Sequence, residues 1–163
     1  MGCEALQMGA RRIFAIESNK ETAKICKSNL ISTSSNLNHK YFLEVISSEV
    51  LKALKKGCTY QSKNFNKEFP NHDYRFDFIY LDPPYSSDLY GLILNNILLG
   101  NWIKEDGLAI CECSTNLIPI IPQSWVKVSQ RKYGNNQLLF LTPNQALHYC
   151  DDIDSKLPQI GQE

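Results

Sequence analysis

The chain has 163 residues, 43% of them hydrophobic and 21% charged, with lysine plus arginine matching aspartate plus glutamate at 17 each. These values suit one soluble globular domain. The even charge balance counts against strong non-specific nucleic-acid binding by this segment alone, because such binders carry a basic excess. No run of about 18 apolar residues is present. The N-terminus also lacks the basic start, apolar stretch and cleavage site of a signal peptide, so a cytoplasmic protein is expected.

Arg12–Glu17 is a short apolar run and a candidate buried strand. Ser18 then reads as an N-cap, with Glu21 three residues on completing a capping box. The helix carries Ala23, Ile25, Cys26 and Leu30 before the Ser32–Asn36 stretch breaks it. Tyr41–Ile46 reads as a second strand, and Ser48–Lys56 as a helix stopped by Gly57. Residues 58–75 are polar, contain Pro70 and Asn71, and read as a long loop.

A third strand covers Phe76–Leu81 and ends abruptly at Asp82-Pro83-Pro84-Tyr85. Ser87 or Asp88 caps a helix through Leu89, Leu92, Ile93, Ile97 and Leu98, and Gly100 stops it. Gly107–Cys113 reads as a fourth strand, and Trp125–Tyr133 and Gln137–Leu141 as two more, joined by a hairpin turn at Gly134-Asn135-Asn136. The polar tail from about Pro143 is expected to be loose. Strands alternating with helices predict an α/β fold: a parallel sheet with helices on both faces and an antiparallel C-terminal hairpin at its edge.

Six cysteines are irregularly spaced, and no second Cys/His pair stands at zinc-ligand distance from Cys111-Glu-Cys113. Cys111 and Cys113 lie on one face of a strand and read as buried reduced thiols. No metal is expected.

Asp82-Pro83-Pro84-Tyr85 carries the chemistry. In open α/β sheets, ligands bind beyond the carboxyl ends of the strands, where this motif falls. Two prolines fix φ and remove two N–H donors, leaving a stiff extended segment whose carbonyls stay free to accept hydrogen bonds. The Asp82 carboxylate and the Pro83 carbonyl can each accept an N–H from an exocyclic base amine and aim its lone pair at an electrophile. Tyr85 offers a flat surface for stacking a flipped base. Glu17, at the end of the first visible strand, stands where Rossmann-like folds place the acid that binds ribose hydroxyls. Ser48 or Glu49, after the second strand, can face an adenine, although plain helix capping is the stronger reading there.

These segments resemble the RsmD-type methyltransferases, which modify the exocyclic N2 of a guanine in bacterial small-subunit rRNA. The likeness rests on Met1–Ala10, Phe14-Ala-Ile-Glu17, Phe78-Ile-Tyr-Leu-Asp-Pro-Pro-Tyr85 and Lys132-Tyr-Gly134, and runs from Met1 to about Leu141. Asp-Pro-Pro-Tyr is shared with adenine-N6 DNA methyltransferases, whereas Gly-x-Glu-Ala-Leu-x-x-Gly-Ala is closer to the RsmD type. The resemblance implies a Rossmann-like fold over residues 1–142, S-adenosylmethionine as cofactor, an RNA partner and, by our reading, a monomer. It implies that Asp82, Pro83, Pro84 and Tyr85 meet the target base and that Glu17 meets the cofactor ribose. Gly2 would be the last position of a Gly-x-Gly-x-x-Gly loop, and Ser48 would lie near the adenine, where the family has Asp or Asn before Ala. Counting about 20 residues back from Glu17 lands before Met1. The domain is therefore expected to be incomplete at its N-terminus, without the first strand, the glycine loop and the basic arm. Rival readings are an adenine-N6 or DNA methyltransferase, a non-catalytic remnant that binds nucleic acid or a partner, and a small-molecule N-methyltransferase.

Overall fold

The computed structural model describes residues 1–35, 37–83 and 87–146. The chain divides into two compact units, residues 1–72 and the chain from Asp73 onward.

The first unit opens with helix α1 (Gly2–Gln7), strand β1 (Arg12–Glu17), helix α2 (Lys20–Ser34) and strand β2 (Phe42–Ser47). β1 and β2 run parallel in unbroken register, from Arg12 beside Phe42 to Glu17 beside Ser47. Because strand side chains alternate, Ile13 faces one side and Arg12, Phe14 and Phe42 the other. α1 and α2 cover the Ile13 side. A Cβ on Gly2 would lie 3.2 Å from Leu30 Cδ2 and 3.7 Å from Ile13 Cγ2, so glycine permits this close approach. Leu6 and Leu30 are buried in the same layer.

The opposite side is covered by a region read from sequence as loop. Residues 58–75 contain helices α4 (Cys58–Gln61) and α5 (Lys63–Glu68), which follow α3 (Val50–Leu54). The long-loop expectation is thus corrected. The segment is polar overall, but Phe65 and Phe69 stand four residues apart and form one apolar side. Both are buried, and their rings stack at 5.0 Å. Phe65 also meets Phe42 edge-on at 5.7 Å, and the Arg12 guanidinium lies 4.6 Å from the Phe65 ring. The helix expected over Ser48–Lys56 shrinks to α3, and Gly57 (φ +76°) precedes α4.

The start of α2 is also corrected. Asn19, not Ser18, is the N-cap, and its side chain accepts from the backbone N–H groups of Glu21 (2.9 Å) and Thr22 (3.0 Å). Glu21 pairs with Lys24 at 2.8 Å and closes no capping box. The serine-rich end stays helical to Ser34, with the Thr33 and Ser34 hydroxyls turned back onto the carbonyls of Asn29 and Ile31. Ile25, expected on the apolar face, is 60% exposed, while Ala23 and Leu30 are buried. Replacing Asn19 with alanine leaves two N–H groups uncapped and should cost about 1 kcal/mol, measurable as a lower urea midpoint at unchanged m-value.

The second unit holds strand β3 (Phe76–Leu81), helix α6 (Ser87–Leu99) and strands β4 (Ile103–Ser114), β5 (Trp125–Tyr133) and β6 (Asn136–Pro143). They form a sheet in the order β3-β4-β6-β5, with β3 parallel to β4 and the other pairs antiparallel. β4 begins at Ile103, four residues before the predicted start. Charged Lys104-Glu105-Asp106 lies at a register irregularity between Phe76 and Phe78, and Lys104 pairs with Asp77 at 2.5 Å. The β5–β6 hairpin turns at Gly134, φ +59°, as predicted. β5 carries a register shift between Lys127 and Ser129.

The core of this unit alternates along β4 and β6: Ala109, Cys111, Cys113, Leu139 and Leu141 are buried, as are Ile93, Leu94 and Ile97 of α6. Cys111 and Cys113 share this face, as the strand period requires, and burial raises the Cys111 thiol to about 12. Trp125 ties the hairpin to α6 by donating from Nε1 to the Leu94 carbonyl at 3.3 Å.

β1 was expected to be buried. β1 is half-buried throughout, and Asp77 and Phe78 of β3 are exposed. Each has only one hydrogen-bonded strand neighbour among the described residues, β2 and β4 respectively. The tail beyond residue 146 lies outside the described residues, as does Ser86, while Ser87 and Asp88, predicted as caps, are the first two residues of α6.

Candidate functional site

In the first unit, Glu17 and Ser48 come together at the carboxyl ends of the two parallel strands. The Ser48 backbone N–H donates to the Glu17 carbonyl at 3.0 Å. The Glu17 carboxylate is fixed by the turn that follows β1: its Oε1 accepts from the Asn19 backbone N–H at 2.8 Å and from Ser18 Oγ at 3.4 Å. It is an acceptor at a strand end, half-buried and held in place, which suits the hydroxyls of a ribose. The Ser48 hydroxyl donates to the Glu49 carbonyl at 3.2 Å, and no side-chain cap forms on α3. Gly2 lies at the start of α1, where its observed work is close packing on Leu30.

A cavity of about 500 Å³ in this unit contains none of the predicted site residues. It is lined by Arg11, Lys40, Phe69 and His72 among others. Arg11 and Lys40 precede β1 and β2, so this cavity lies at the amino ends of the strands.

In the second unit, Asp82 and Pro83 follow β3 directly, with Asp82 exposed and Pro83 half-buried. Pro84 and Tyr85 lie outside the described residues. Partial burial, and then the charge of Glu112, hold the Asp82 carboxyl above its ordinary pKa.

Glu112 is a residue that sequence reading passed over. The β3–β4 register pairs Tyr80 with Ile110 and ends with Leu81 beside Cys111, and Asp82 and Glu112 are the residues that follow this last pair. The Tyr80 hydroxyl donates to Glu112 Oε2, and Asn136 Nδ2 donates to Oε1 at 3.2 Å. The Tyr90 hydroxyl of α6 donates to the Glu112 backbone carbonyl. The available signal was an acid inside an otherwise apolar strand, Leu108-Ala-Ile-Cys-Glu-Cys113, next in the sheet to the motif strand. Among the described residues no group of three or more His, Cys, Asp or Glu could hold a metal ion, and no helix is long and apolar enough to cross a membrane.

Comparison with known proteins agrees with this architecture. The chain is 25% identical over 134 residues to the ribosomal RNA small subunit methyltransferase D of Haemophilus influenzae, which covers 82% of this chain. The chain spans 61% of that relative's length. Among solved structures, a candidate methylase of H. influenzae superposes with a TM-score of 0.66 at 23% identity, over 87% of this chain and 78% of its own. A candidate methyltransferase of Escherichia coli gives 0.67 at 19% identity, over 88% and 69%. These structures share the Rossmann-like α/β fold expected from the sequence, and the RsmD-type resemblance is borne out. The family described as Conserved hypothetical protein 95 matches residues 1–142, and the chain belongs to it.

Proposed function

We propose that this chain belongs to an S-adenosylmethionine-dependent methyltransferase that modifies the exocyclic N2 of a guanine in small-subunit rRNA. The observation that carries the reading is Asp82-Pro83 placed directly after β3, in a chain whose curated relative is a small-subunit rRNA methyltransferase. When bound, S-adenosylmethionine supplies an activated methyl group. The residues of this chain supply position and charge. The Asp82 carboxylate and Pro83 carbonyl accept the amine N–H groups and aim the nitrogen lone pair. The raised proton affinity of Asp82 suits it to hold the proton that the nitrogen sheds. Pro84 and Tyr85 complete the motif, with Tyr85 stacking the base. Glu17 would accept from the cofactor ribose, and Gly2 and Ser48 are assigned to the cofactor with it. An rRNA substrate goes with a cytoplasmic protein, and the positioning chemistry calls for no metal and no second subunit.

The test is transfer of a labelled methyl group from S-adenosylmethionine to a small-subunit rRNA transcript, followed by digestion to nucleosides. N2-methylguanosine is the expected product. N6-methyladenosine would favour the adenine-directed rival. No transfer, with no calorimetric binding of S-adenosylmethionine, would favour a non-catalytic binding module.

A further inference from the structure

We propose that Glu112 is a positioning residue for Asp82, and that the two carboxylates together make the site selective for a base edge presenting only N–H donors. This deepens the proposed function and rests on it. The side chains of Tyr80 and Glu112 share one side of the β3–β4 pair, because parallel partners point the same way and alternate residues return to the same face, and Asp82 directly follows the last residue of β3, within reach of the Glu112 charge. Glu112 is not a loose surface acid. One carboxylate oxygen is held by the Tyr80 hydroxyl, the other by Asn136 Nδ2, and its backbone carbonyl by Tyr90. Three separate elements (β3, β6 and α6) therefore fix a negative charge next to the motif.

Fixed negative charge discriminates between base edges. Guanine offers N1–H and the N2 amine side by side, both donors, so a pair of carboxylates attracts the whole edge. Adenine offers its N6 amine beside N1, an acceptor whose lone pair the added Glu112 charge repels, whereas Asp82 alone belongs to a motif that adenine-N6 methyltransferases share. Discrimination of this kind works as much by repelling the wrong edge as by holding the right one. Among the described residues, Tyr80, Tyr90 and Cys113 also lie within reach of the Glu112 charge. All three have raised pKa values, with burial the first cause, and they stay neutral at neutral pH. Asp82 is the ionisable group left for Glu112 to act upon.

The experiment follows the Asp82 carboxyl by carbon-detected NMR titration of the 163-residue chain, in the wild type and in Glu112→Gln and Glu112→Asp variants. The Gln side chain keeps the shape and can still bond Tyr80 and Asn136 while losing the charge. The Asp82 midpoint should fall in Glu112→Gln and stay raised in Glu112→Asp. A purely structural role would leave the midpoint unmoved in a Glu112→Gln variant that folds, and that result overturns the inference. In the labelled-methyl assay, the ratio of methylguanosine to methyladenosine should fall about tenfold or more in Glu112→Gln, and an unchanged ratio overturns the selectivity. If the wild type transfers no methyl group to any base, the proposed function falls, while the titration still decides whether Glu112 acts through Asp82.

Discussion

Asp82→Ala is expected to lower methyl transfer about 100- to 1000-fold, the scale of losing one preorganised polar contact in a transition state, with S-adenosylmethionine affinity nearly unchanged. Calorimetric titration of the cofactor beside a single-turnover transfer assay separates the two quantities. Loss of cofactor binding with normal turnover at saturation would contradict the assigned role. Stability supplies an independent check. The folded-state pKa of Asp82 lies above its ordinary value, owing to partial burial and the Glu112 charge. The folded protein therefore binds this proton more tightly than the unfolded chain does. The resulting stabilisation is fully present below the ordinary carboxylate pKa and is lost as pH rises through the raised one. Above that range this linkage contributes no stability, so Asp82→Ala should melt no lower than the wild type. A variant that loses turnover and keeps its melting temperature has lost chemistry, not structure.

Trp102→Ala should do the reverse, destabilising the fold by about 3–5 kcal/mol against a typical total of about 5–15 kcal/mol. Trp102 is 2% exposed and sits in the turn between α6 and β4. Its ring stacks on Phe76 at 6.3 Å with 14° between planes. Its backbone joins two elements: the N–H donates to the Ile97 carbonyl at 2.9 Å, and the carbonyl accepts from the Phe76 N–H at 2.8 Å. Gly100 makes room for the indole, since a Cβ there would lie 2.5 Å from Trp102 Nε1. Truncation leaves a cavity at the point where β3 begins, and α6 and β3 lose a shared support. Urea denaturation followed by far-ultraviolet circular dichroism measures the effect. A loss under 1 kcal/mol would mean that the neighbouring side chains collapse into the space.

Much of this fold was legible in the sequence where the hydrophobic signal was dense. β1, β3 and β5 begin and end where the apolar and alternating runs place them, and the Gly134 hairpin follows from its turn residues. The α4–α5 segment was not legible, because its apolar side is carried by a few residues, Cys58, Phe65 and Phe69, diluted among lysines and asparagines. The α2 cap shifted by one residue because Ser18 and Asn19 are both good caps, and backbone geometry alone chooses between them. The candidate site divided in the same way. Asp82-Pro83 was proposed from the chemistry of its residue types, and Glu17 from its place at a strand end. Glu112 escaped notice because its significance depends on a pairing register between strands that are about 30 residues apart in the chain, which no local pattern encodes.

The outer strand of the four-stranded sheet has a consequence for how the protein behaves at high concentration. Among the described residues β5 has one strand neighbour, β6, and edges of this kind can template the addition of strands from other molecules. Here the edge is spoiled in two ways: the register shift between Lys127 and Ser129 breaks the flat hydrogen-bonding line, and Lys127, Arg131 and Lys132 bring like charges to any second copy of the same strand. A newly made chain can expose this edge while the rest of the sheet assembles, with little risk that Val126 and Val128, both exposed, will seed fibrillar aggregation.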